Sequence, residues 1–208
     1  RTEVLAEWLG GGNIINVDWK PSEKIVFGLK ANKTKATFHL LPSAYSFQSY
    51  QEEEIEVSHP YALVSSGEKK NILEFSCRHF YEEGKTNLIL CKGKTTANKT
   101  ASEIYNWIDH DIKNDEVNLI QRYIDEEMGC TSLFSKLLGR GIAVHHAGLS
   151  DEVKLLTEHL IRKGLVNYVC ATTTIAEGVN FPVSSVYFDT YQRGKNNILS
   201  ANDFWNIA

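Results

Sequence analysis

Beyond Glu68 the chain alternates stretches of helical period with short apolar runs at Asn87–Cys91, Ile142–Val144, Asn167–Ala171 and Ser185–Asp189. Runs this short, with no polar residue at every second place, suit strands covered on both faces. They predict a mainly parallel sheet with helices outside it. Strand and helix in alternation predict an α/β layering of sheet and flanking helices. The clearest helix comes after Gly148. Ser150 is placed to cap it, Asp151 and Glu152 lie in its first turn, Arg162 and Lys163 in its last, and Gly164 stops it, so both ends complement the helix dipole. Val153, Leu156 and Leu160 form its apolar stripe.

Residues 1–66 have another pattern. Lys24–Lys30 and Lys35–Leu41 flank Ala31-Asn32-Lys33-Thr34, which predicts a β-hairpin. The Ser-, Tyr-, Gln- and Glu-rich stretch from there to Ser66 has little period and reads as a loop or inserted segment. The organisation expected is therefore a partly β or irregular connector over 1–66 and an α/β domain over 67–208. Val4, Leu5, Trp8 and Leu9 stand at helical spacing before Gly10-Gly11-Gly12, and a helix is just starting behind Ser200 and Asn202. Both ends read as cut from something longer.

Composition narrows the class. With 22 Lys and Arg against 26 Asp and Glu, 42% apolar side chains and a net charge of −4, the chain is an ordinary globular one rather than disordered, collagenous or coiled-coil. No apolar run nears the roughly 20 residues a membrane span needs, and the N-terminus lacks the order of a signal peptide, so a cytoplasmic chain with no membrane partner is expected. Cys77, Cys91, Cys130 and Cys170 never pair as Cys-x-x-Cys. They read as reduced thiols, with Cys91 and Cys170 acting as small hydrophobes at the ends of apolar runs.

Charge is uneven along the chain. Gly84 to Thr100 holds Lys85, Lys92, Lys94 and Lys99 and no acid. Gly93-Lys94-Thr95 and Gly84-Lys85-Thr86 suggest phosphate loops, but the second glycine such a loop needs is replaced by Leu88 and His79. His145 and His146 are adjacent, so in an extended chain they point to opposite sides. No acid or thiol stands at ligand spacing from them, and no metal site is expected. Val144-His-His-Ala-Gly-Leu-Ser150 ends a strand and opens a helix, a turn whose N–H groups suit a phosphate. In Ala171-Thr-Thr-Thr-Ile-Ala-Glu-Gly-Val-Asn-Phe-Pro182, three threonines come directly after a strand. They put hydroxyls where open α/β sheets place ligands, and such groups position a sugar-phosphate backbone without reading bases. A threonine-rich turn that merely caps a helix accounts for this segment equally well.

The succession Leu88-Ile-Leu-Cys-Lys-Gly-Lys94, Gly141-Ile-Ala-Val-His-His-Ala-Gly-Leu149 and Ala171–Val183 resembles the second RecA-like domain of superfamily 2 DExD/H-box helicases, in particular the superkiller-like branch. Leu5-Ala-Glu-Trp-Leu-Gly10 is similar to the stretch just after the Ser-Ala-Thr motif of the first RecA-like domain. The resemblance implies a RecA-like fold, α/β with a mainly parallel sheet flanked by helices. It implies that Lys94, His146, Gly148, Thr172 and Thr174 line a nucleic-acid track, and that Gly178 and Asn180 face ATP across an inter-domain cleft. It also implies ATP and Mg²⁺ in a longer protein, with neither held by this stretch alone and no catalytic residue within it. The partners implied are single-stranded or duplex nucleic acid, RNA or DNA, and the first RecA-like domain. Asn206 stands where the family's Gln-x-x-Gly-Arg-x-Gly-Arg motif begins with Gln. The competing expectation is a non-enzymatic α/β binding or scaffold module.

Overall fold

The computed structural model describes residues 26–31, 35–40, 53–56, 69–81, 84–173, 175, 182–188, 192–193, 197–200 and 204. They belong to two compact units, one around a small N-terminal sheet and one holding the later elements. In the first, β1 (Phe27–Ala31), β2 (Lys35–Leu40) and β3 (Glu53–Glu56) form a three-stranded sheet with β2 in the middle. β1 and β2 occupy the two runs of the expected hairpin. β3 corrects the expected loop or inserted segment at Glu53–Glu56; the rest of that stretch to Ser66 lies outside the described residues. Glu53-Glu-Ile-Glu56 has one apolar residue and no marked alternation. Its strand form comes from pairing with β2, which local pattern does not carry. The boundary expected between residues 66 and 67 lies outside the described residues.

The second unit is built on β4 (Thr86–Leu90), β5 (Ile142–His145), β6 (Tyr168–Ala171) and β7 (Val183–Phe188), in the order β5-β6-β4-β7 and all parallel. They coincide with the four apolar runs. Every residue of β4, β5 and β6 is buried, which is why those runs show no alternation. The pleat splits them between two cores. Leu88, Leu90, Ala143, Val169 and Ala171 meet Val117, Ile120 and Ile124 of α3 (Asp115–Met128) and Val153, Leu160 and Ile161 of α5 (Asp151–Arg162). Ile89, Cys91, Ile142, Val144, Tyr168 and Cys170 meet Cys77 of α1 (Lys69–His79) and Ala97, Ala101 and Ile104 of α2 (Lys94–Tyr105). The short α4 (Leu133–Gly139) divides itself, with Leu138 in the first core and Leu137 in the second. Each large aliphatic side chain so buried contributes about 1.5–3 kcal/mol.

Local chemistry starts and stops these helices. Asn114 Oδ1 accepts from the Glu116 and Val117 amides at 2.9 and 3.1 Å, Ser132 Oγ from the Ser135 amide at 3.0 Å, and Ser150 from the Val153 amide at 3.4 Å, as the sequence predicts for the last. Gly164 ends α5 in the left-handed region, at φ +67°. Burial pushes the Cys77 thiol up to about 12 and Cys170 well above the ordinary thiol range, which keeps both protonated. Near the C-terminus the Phe204 amide donates to the Ser200 carbonyl at 2.9 Å, a helical contact behind Ser200. No described helix is long and apolar enough to cross a membrane.

Candidate nucleic-acid interface

Parallel strands bring their C-terminal ends to one edge. Here the Cys91 amide donates to the Ala171 carbonyl at 2.8 Å, and the Thr172 amide donates to the His145 carbonyl at 3.1 Å. These two bonds continue the β4–β6 and β6–β5 ladders one step past the strands. The turn before Lys94, the segment after His145 and the segment after Ala171 therefore lie side by side. Lys94, His146 and Thr172, far apart in sequence, share one edge of the sheet.

Lys94 is exposed and is the first residue of α2, behind Gly93 as cap. Gly93 has no side chain to cap with, and the first turn holds no acid, whereas α3, α4 and α5 each begin behind a capping Asn or Ser. The α2 start thus combines the positive end of a helix dipole with a lysine, which suits an anion.

The two histidines face opposite sides of β5, as alternation requires. His145 Nε2 meets Glu158 Oε1 of α5 at 3.0 Å, both groups being buried or nearly so. His146 Nε2 meets Asn98 Oδ1 of α2 at 3.0 Å, and the Gly148 amide donates to His146 Nδ1 at 3.1 Å. Since Nδ1 accepts, the proton of the neutral ring sits on Nε2 and is donated to Asn98. Phe134 packs edge-on against the ring, 6.4 Å between centroids. His146 is buried with both nitrogens engaged, so its ring holds the turn together and does not reach outward. A Cβ on Gly148 would come within 3.2 Å of His146 Nδ1, so the bare glycine lets the ring close on the turn; Lys94 Cδ would stand at an ordinary 3.5 Å from it. Asn98 carries no signal in the sequence. A single Asn inside a helix reads as part of a polar face, and only tertiary contact gives it a partner.

Burial holds the His146 proton affinity below the usual histidine range; His145 and Lys94 act in the same direction and a backbone hydrogen bond opposes them. The folded chain therefore binds this proton less readily than the unfolded chain. His146 contributes no pH penalty above about pH 6.5, and stability is lost as pH falls from there toward the depressed folded value. We expect melting temperature to fall between pH 7 and pH 5, and His146→Gln to flatten that limb. An unchanged limb in the variant would assign it elsewhere. Asp125 and Asp151, held low by hydrogen bonds from the Ser132 amide and from Lys154, lose their contributions at lower pH, below about 4.

Leu88 lies inside β4 and Gly93 caps α2, so Gly93-Lys94-Thr95 is a strand-to-helix turn without the wrapped amides of a phosphate loop. Among the described residues no cluster of three or more His, Cys, Asp or Glu could hold a metal ion. Thr174, Gly178 and Asn180 lie outside the described residues.

No family model matches the chain. It is 27% identical over 193 residues to the ATP-dependent DNA helicase Hel308 of Pyrococcus abyssi, covering 91% of this chain and 23% of that protein. It is 44% identical over 59 residues to human Superkiller complex protein 2, covering 28% of this chain and 5% of that protein. The Hachiman protein HamB of Bacillus cereus is 29% identical over 126 residues, covering 60% of this chain and 11% of that protein. The chain thus spans between 5% and 23% of the length of these relatives. With its parallel sheet flanked by helices the chain has a RecA-like α/β layering, and in sequence it is similar to the Hel308 and superkiller helicases.

Proposed function

We propose that the chain is the second motor domain of an ATP-dependent helicase, residues 67–208, preceded by a connector over 1–66 from the first motor domain. It supplies part of a track for the sugar-phosphate backbone of a nucleic acid, with Lys94, Gly148, Thr172 and Thr174 facing the strand and His146 shaping the turn. Gly178 and Asn180 face a nucleotide held mainly by the first domain, and ATP with Mg²⁺ belongs to the two-domain protein. The observation that carries the reading is the convergence of the α2 start, the His146–Gly148 turn and Thr172 at one strand edge. Groups of this kind hold phosphates and sugars and leave base edges unread, so movement along the strand is independent of sequence. A net charge of −4 gives the chain no general attraction for nucleic acid, and binding rests on these local contacts.

Binding titrations of the full-length protein with single-stranded oligonucleotides at several salt concentrations test this. Lys94→Ala is expected to lower the salt slope by roughly 1 unit, as loss of one lysine–phosphate contact should. Thr172→Ala is expected to cost about 1 kcal/mol through a lost hydroxyl contact, equally for all sequences, and to move the slope less because it carries no charge. Losses that depend on sequence would show base contacts instead. No change with either substitution would place the track elsewhere.

A further inference from the structure

Asn98 has no part in the track itself, yet the geometry gives it a task. It lies four residues after Lys94 and so on the same face of α2. From there its Oδ1 is 3.0 Å from His146 Nε2, His146 Nδ1 is 3.1 Å from the Gly148 amide, and a Cβ on Gly148 would touch the Lys94 stem. We propose that Asn98 is a positioning residue for nucleic-acid binding, fixing through His146 the Gly148 turn beside which the Lys94 stem lies. This role rests on the reading of the strand edge as a nucleic-acid track.

The ring is buried, so its single N–H cannot turn to water. Without the Asn98 acceptor, either that N–H is left unsatisfied or the ring turns over, and turning over carries Nδ1 away from the Gly148 amide. In either case one end of the relay is lost. If His146 merely filled space, an apolar residue of Asn98's size would serve as well.

The test is a pair of measurements on the full-length protein with a dye-labelled single-stranded oligonucleotide as probe. At pH 8, Asn98→Leu is expected to weaken binding roughly fivefold to tenfold, the cost of one buried hydrogen bond acting on the site. In a Lys94→Ala background the same substitution should cost about twofold or less, because the relay acts through Lys94. Asn98→Asp restores an acceptor and should recover affinity relative to Asn98→Leu at pH 8. Its carboxylate also favours the imidazolium, whose Nδ1–H cannot accept from Gly148. The acid midpoint of binding should therefore move up by about 1 unit relative to the unsubstituted protein. The other titratable groups acting on His146 are its neighbour His145 and Lys94 of α2, both of which oppose its protonation; Phe134 of α4 is uncharged.

An Asn98→Leu loss of equal size in the two backgrounds, or an unmoved midpoint in Asn98→Asp, would overturn the relay while leaving the track in place. Binding unaffected by Lys94→Ala would overturn the relay, and binding unaffected by Thr172→Ala as well would overturn the track with it. Should Asn98→Leu fail to fold, the Asn98→Asp midpoint decides alone.

Discussion

ATP turnover is expected to be absent from the 208-residue chain on its own and present, stimulated by single-stranded nucleic acid, in the full-length protein. Phosphoryl transfer needs a cradle for the phosphates, a bound Mg²⁺, a positioned water and a cation for the developing charge. Neither Gly-Lys-Thr supplies the cradle. Gly93 begins α2 directly after a buried strand, and Lys85 lies exposed beside Gly84, in a turn with φ +74°. Lys85, with no helix start around it, is a point charge in water and stabilises little. Losing a single preorganised donor typically costs a factor of about 10²–10³, and a phosphate cradle is several such donors acting together. Steady-state assays of chain and full-length protein side by side, with and without oligonucleotide, decide the matter. Stimulated turnover by the chain alone would show that its own residues assemble a nucleotide site.

The second large effect is on stability. Gly141→Val is expected to destabilise the second unit by about 3 kcal/mol, the sum of a left-handed backbone cost and a steric clash, each of roughly 1–2 kcal/mol. Gly141 sits between α4 and β5 at φ +72°. Its carbonyl accepts from the Asn167 and Tyr168 amides at 2.8 and 3.1 Å, and so sets the register in which β6 enters the sheet. A Cβ here would stand 2.6 Å from Ile112 Cδ1 and 2.9 Å from Asn167 Oδ1. Gly164 provides the control, with φ +67° and nothing within 4 Å of its would-be Cβ. Gly164→Ala should cost only the backbone part, about 1 kcal/mol. Urea unfolding of the two variants gives the comparison, and equal losses would mean that the packing around Gly141 yields without cost.

Much of this architecture is legible in the sequence because it is local. Strands β4 to β6 are buried along their whole length, so each writes a short apolar run without alternation into the chain. Ser150, Asp151, Glu152 and Gly164 mark α5 because caps and dipole partners act within a turn of the residues they serve. The motif segments likewise point to the strand edge, since each comes directly after an apolar run. By contrast, β3 leaves no trace, because its pairing with β2 is what makes Glu53–Glu56 a strand. The order β5-β6-β4-β7 cannot be read either, since strands of one hydrophobic character are interchangeable until helices cover them.

The candidate site divides in the same way. Amino-acid order alone establishes which residue types stand at the strand ends: a lysine at a helix start, a His-His-Ala-Gly turn and a run of threonines. Packing settles how those residues serve one another. It turns His145 toward Glu158 and His146 toward Asn98, selects the proton-bearing nitrogen through the Gly148 amide, and brings Lys94 against a glycine 54 positions away. The cause is range. Periodicity and capping are fixed by neighbours a few residues apart, whereas hydrogen-bond partners across adjacent strands and helices exist only after the sheet has set their order.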